Sequence, residues 1–74
     1  MNLTEIKNNT PVTIKSISNS SIALRLSEYG IFNDSSIIKV NQAPLRGPIL
    51  IKSNNIKIAL RRSEALSIEV IHGS

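Results

Sequence analysis

Ile49-Leu50-Ile51-Lys52-Ser53-Asn54-Asn55-Ile56-Lys57-Ile58-Ala59-Leu60 is the stretch that decides the fold class. Two runs rich in isoleucine flank an Asn-Asn pair, and asparagine tolerates the left-handed backbone that a two-residue hairpin turn demands. With Asn54-Asn55 as the turn, Ser53 faces Ile56, Ile51 faces Ile58 and Ile49 faces Leu60, all on one side of the ribbon. The other side pairs Leu50 with Ala59 and Lys52 with Lys57. This gives a partly polar, positively charged outer surface on which the two lysines repel mildly.

Upstream of the hairpin, Ala43-Pro44-Leu45-Arg46-Gly47-Pro48 reads as a stiff loop, because its two prolines fix φ and cannot donate to a ladder. A strand over residues 36–42 precedes it. Before that strand, Ile31-Phe32-Asn33-Asp34 forms a turn in which Asn33 and Asp34 tolerate positive φ. Ile22, Leu26 and Tyr29 recur at helical spacing and predict a helix over residues 21–29, capped by Ser20 or Ser21 and ended by Gly30. Val12-Thr13-Ile14-Lys15 alternates as a strand with Val12 and Ile14 inward, after a stop made by Asn8, Asn9, Thr10 and Pro11. At the start, Asn2 caps a short turn through Leu3 and Ile6, with Glu5 three residues on to complete a capping box.

Downstream of the hairpin, Arg61-Arg62-Ser63-Glu64-Ala65 predicts one tight turn capped by Ser63. Ser67-Ile68-Glu69-Val70-Ile71 then alternates as a last strand. About five short strands and one small helix result, an all-β chain. A small closed or nearly closed barrel is its economical solution, since closure limits exposed sheet edges.

The 74 residues make a single domain, and a chain of this size buries only about 60% of its unfolded surface. It holds no cysteine and one histidine, His72, so neither disulfides nor a histidine cluster supports it and an aliphatic core must suffice. Asn2, Thr4, Glu5, Lys7, Asn8 and Asn9 interrupt any apolar stretch near Met1 that a signal peptide needs, and no apolar run is long enough to span a bilayer. The chain is therefore read as soluble and cytoplasmic. Its net charge of +4 favours an acidic protein, a nucleic acid or an anionic lipid surface as partner, but the basic residues form no run longer than two, so no dedicated nucleic-acid tail is expected. No internal repeat, linker or low-complexity segment is present.

Leu24-Arg25-Leu26-Ser27-Glu28-Tyr29-Gly30-Ile31 and, more specifically, Ile58-Ala59-Leu60-Arg61-Arg62-Ser63-Glu64-Ala65 resemble the ferrous iron transport protein A (FeoA) family. Residues 43–48 are similar to the family's proline-bearing loop, and Leu3-Thr4-Glu5-Ile6 to its opening turn. One departure is that Asp34 stands where a glycine is usual, a substitution whose backbone Asp is able to adopt. The resemblance covers essentially the whole chain and implies a small SH3-like barrel. The same domain ends some metal-dependent repressors, behind a DNA-binding region. This sequence starts at its own Met1 without one, so the free-standing form is expected. That form works beside a membrane ferrous iron permease with a cytoplasmic GTP-binding region, and recruitment by that partner places it at the inner face of the membrane. The implied role is a non-enzymatic accessory protein that binds and tunes the permease.

The chemistry-bearing residues agree with a binding module. Glu5, Glu28, Asp34, Glu64 and Glu69 are scattered over different elements and His72 lies in the C-terminal tail, so no metal site, cofactor or convergent ligand set is expected. Many serines are present, but none has a paired base, and no glycine-rich phosphate loop occurs. The rival reading is a small barrel that binds nucleic acid through a basic groove and stacked aromatics. Only Tyr29 and Phe32 are aromatic, neither on a predicted strand, and no nucleic acid is expected. Tyr29 belongs to the core or its rim. Phe32 and Leu45 are large apolar residues on turns, where a folded monomer has least use for them. The expected partner-binding set is Leu24, Tyr29, Phe32, Pro44, Leu45 and Arg46, which form one patch if the two loops share a side of the barrel. Lys52 and Lys57 are the next candidate face. No direct membrane insertion is expected, and weak self-association is left open.

Overall fold

The computed structural model describes residues 1–73. Strands β1 (Thr10–Ile17), β2 (Ser36–Gln42), β3 (Ile49–Ser53), β4 (Ile56–Leu60) and β5 (Ile68–His72) form one antiparallel sheet in the order β4-β3-β2-β1-β5. Helix α1 (Ser20–Ser27) joins β1 to β2, α2 (Arg62–Ala65) joins β4 to β5, and a 3-10 turn at Leu3–Glu5 precedes β1. The expected hairpin register is observed residue for residue, from Ile49 opposite Leu60 to Ser53 opposite Ile56. Asn54 supplies the left-handed residue of its turn at φ 55. Of the six residues on that face only Ile49, Ile51, Ile58 and Leu60 are buried, however, and Ile56 is exposed.

Two bulges bend the sheet. Lys15 is the extra residue in β1 against β5, and Val40 the extra residue in β2 against β3. A bulge adds one residue to a strand of period two, so it bends the strand and swaps the face of everything beyond it. In β1 the inward residues are accordingly Val12 and Ile14 and then, three positions on, Ile17, which packs against the core. The sheet curls around Leu3, Ile6, Ile22, Leu26, Ile31, Ile37, Ile51, Leu60, Ala65, Ile68 and Val70, among others, and α2 spans the opening between the edge strands β4 and β5.

Several boundaries differ from those expected. β1 begins at Thr10, because the Pro11 carbonyl accepts from Gly73 N–H and the missing donor falls near the strand's start. The cap of α1 is Asn19, not Ser20 or Ser21, its Oδ1 accepting from Ile22 N–H at 3.2 Å. The cap position of α2 is Arg61 rather than Ser63; there the Glu64 carboxylate reaches back to the Arg61 N–H at 2.8 Å. His72 is the last residue of β5, opposite Val12, instead of belonging to a tail. The opening turn has the expected capping box between Asn2 and Glu5.

Lys39 is the largest departure from a spread of solvated charges. It is 1% exposed. Its ammonium donates to the Ile6 carbonyl at 2.6 Å, the Thr4 carbonyl at 3.3 Å and Gln42 Oε1 at 3.0 Å. All three donors of the group are thereby used, two on carbonyls left open around the end of the first turn and one on the Gln42 side chain of β2 itself.

Candidate functional site

The end of α1 is fixed by its own backbone. Gly30, at φ 78, donates to the Ser27 carbonyl at 3.0 Å, and Ile31 donates to the Leu26 carbonyl at 3.0 Å. This paired closure needs a left-handed residue at the glycine position, and it brings Ile31 and Leu26 into the core together. Tyr29 therefore falls outside the helix and is 48% exposed, so it is not a core residue. Ser35 Oγ accepts the Phe32 N–H at 2.9 Å, and Asp34, at φ 74, turns the chain into β2, the backbone it was expected to supply in place of glycine.

Leu24, Tyr29 and Phe32 are all exposed along α1 and the turn that follows it. A shallow groove of about 380 Å³ includes Phe32 of these three and is lined besides by Ile17, Ala23, Ser27, Ile31 and Asn33. Arg25, between these residues, reaches across to α2. Its Nη1 and Nη2 donate to Glu64 Oε2 and Oε1 at 3.1 and 3.3 Å. The Glu64 carboxyl is held below its ordinary value chiefly by the Arg61 N–H, against an opposing effect of burial that is next in size, with Arg25 adding a lesser lowering. The helix that carries Leu24 and leads into the turn of Tyr29 and Phe32 is thus clamped to the rest of the fold.

Pro44, Leu45 and Arg46 are exposed too, and Leu45 completely so, at 99%. They occupy a tight turn closed by a Gly47 N–H to Pro44 carbonyl bond of 3.1 Å, at the tip of the β2–β3 connection. Gly47 is required there, since a Cβ would stand 2.7 Å from that of Ala43. The two expected halves of the site lie apart. The Phe32 turn enters β2 at Ser36 and the Leu45 turn leaves it after Gln42, and seven strand residues span about 20 Å. Phe32 and Leu45 do not form one patch.

Among the described residues no three His, Cys, Asp or Glu side chains converge. No helix among them is long and apolar enough to cross a membrane.

The sequence matches the model of the FeoA domain over residues 1–72. The chain belongs to the FeoA family. Among solved structures it is similar to FeoA of Chlorobium tepidum, at 27% identity and a TM-score of 0.90, covering 100% of this chain and 71% of that one. Iron(II) transport protein A of Clostridium thermocellum is 34% identical with a TM-score of 0.85, over 97% of this chain and 45% of that one. FeoA of Stenotrophomonas maltophilia complexed with zinc is 30% identical with a TM-score of 0.78, over 96% and 89%. That last protein is described as a procaryotic SH3 domain protein and a suggested ferrous iron transport activating factor. A search of curated proteins found no match.

This FeoA chain is accordingly an SH3-like barrel of five strands with one short helix. The two stretches that carry its resemblance meet physically, because Arg25 belongs to one and Glu64 to the other. Sequence reasoning missed this pair, which no spacing reveals across 39 positions. It also missed Lys39, although alternation from Ile37 points to an inward place.

Proposed function

We propose that this FeoA chain is a non-enzymatic accessory protein of ferrous iron uptake. It binds the cytoplasmic GTP-binding region of the membrane ferrous iron permease and tunes transport by biasing that region's conformation or GTP cycle. Family membership supports the iron uptake role. The observation that supports binding is the apolar trio Leu24, Tyr29 and Phe32, exposed on α1 and the turn after it, with Phe32 lining a groove and the helix held in place by Arg25 and Glu64. Apolar anchors presented on a pre-ordered element lose little entropy on docking. The expected working place is the cytoplasmic face of the membrane, reached through the partner.

The test is a titration of this chain against the separately produced cytoplasmic parts of the permease. Saturable binding to the GTP-binding region, with a change in nucleotide turnover, is the expected result. No binding to any cytoplasmic part sinks the reading.

A further inference from the structure

The β2–β3 turn is conformationally costly and has no packing role to offset this. Leu45 and Arg46 are both left-handed, each at φ 59. Residues with a Cβ are disfavoured there, and two-residue turns of this shape normally use Asn and Gly. The same chain uses Asn54 for the equivalent need in its other hairpin. Leu45, being 99% exposed, contributes nothing to the core. Strain held at a position that the fold does not use points to a use elsewhere.

Cations gather at the same end of the sheet. Arg46 is on the tip, Arg61 follows Leu60, whose partner Ile49 begins β3, and Lys7 follows the Ile6 carbonyl held by Lys39. Arg62 stands close enough to the Lys39 ammonium to repel it. The carboxylates are occupied or distant. Glu64 is engaged by Arg25, Glu5 caps its own turn, and Glu69 takes the N-terminal ammonium at 2.6 Å. Glu28 and Asp34 lie toward the opposite end, between α1 and β2.

We propose that this end is a peripheral docking surface for an anionic lipid bilayer, with Leu45 entering the headgroup layer and Lys7, Arg46, Arg61 and Arg62 facing the lipid charge. A single convex apolar tip among cations suits a deformable charged interface, which accepts it without a preformed pocket. The inference stands apart from the permease reading, since its test contains no permease.

The test is flotation of the chain with phosphatidylglycerol-rich vesicles and with pure phosphatidylcholine vesicles. Binding only to the anionic vesicles, falling as salt rises, is expected. Leu45→Asn weakens it about tenfold, and Arg61→Gln and Arg62→Gln about fivefold each. Leu45→Asn combined with Arg46→Gly relieves the turn, so this variant melts about 4 °C or more higher while losing vesicle binding. A merely structural Leu45 gives the reverse, a lower melting temperature with binding intact, and overturns the proposal. So does a wild-type chain that ignores anionic vesicles, or one that ignores them and binds an oligonucleotide equally well with Leu45→Asn.

Discussion

Lys39 is a charge desolvated without a countercharge. Its three acceptors are two backbone carbonyls and an amide oxygen, and burial, followed by repulsion from Arg62, lowers its pKa from the ordinary 10.5. What it provides is a tie between β2 and the first turn, whose terminal carbonyls have no helical partners. Lys39→Met keeps the apolar stem but leaves the buried Ile6 carbonyl unpaired. A loss of about 1–3 kcal/mol is expected in urea unfolding at neutral pH. The pH dependence follows from the sign of the shift. Between the lowered folded value and 10.5 the unfolded chain binds more protons, so wild-type stability rises with pH across that window. The Lys39→Met variant lacks this rise, and a parallel rise in both proteins refutes the assignment. Lys39 was hard to read in the sequence because Ile37-Ile38-Lys39-Val40 offers two registers. Placing Ile38 and Val40 inward looks better by hydropathy, yet Ile37 and Lys39 are the buried pair.

At the scale of elements, α1 and α2 are coupled by the fork of Arg25 on Glu64. A double-mutant cycle of Arg25→Ala and Glu64→Ala is expected to give a coupling of about 0.5–1 kcal/mol, modest because Arg25 remains partly solvated. Since the folded carboxyl titrates below its ordinary 4.5, the coupling is full above that value and disappears as pH falls through the depressed one. A coupling unchanged in acid contradicts this account. Elements fixed by local chemistry were legible from residues alone. The Asn54-Asn55 hairpin gave the whole β3–β4 register, Asn2 with Glu5 gave the first turn, and Gly30 gave the end of α1. Asn19 displaced two serines as the cap because both lie inside the helix. The bulges at Lys15 and Val40 were not legible, since each exists only relative to a partner strand. The expected binding set was found exposed, but its unity depended on which ends of β2 the two loops occupy. That is a property of the assembled sheet.

Among the exposed apolar residues, two groups stand at the two ends of β2, and the distance between them makes a prediction about partition. The Leu24, Tyr29 and Phe32 surface lies on the clamped helix and its turn, with Phe32 lining a groove. The Leu45 tip stands about 20 Å away along the strand, among cations. Sites so far apart with no shared neighbours contribute additively and to different contacts. Against the isolated GTP-binding region of the permease, Phe32→Ser is expected to weaken binding by more than about 1 kcal/mol, the loss typical of a central anchor. Leu45→Ser is expected to leave that binding within about 0.5 kcal/mol of the parent. Neither residue belongs to the core, so both variants keep a melting temperature close to the parent's or, for Leu45→Ser, slightly above it. Isothermal titration alongside thermal unfolding reads both quantities. Equal losses from Phe32→Ser and Leu45→Ser mean that one partner surface reaches both ends of the barrel, and the division of labour fails. If Phe32→Ser alone unfolds the chain, Phe32 supports the turn into β2, and the outer face of Lys52 and Lys57 becomes the surface to test against the permease.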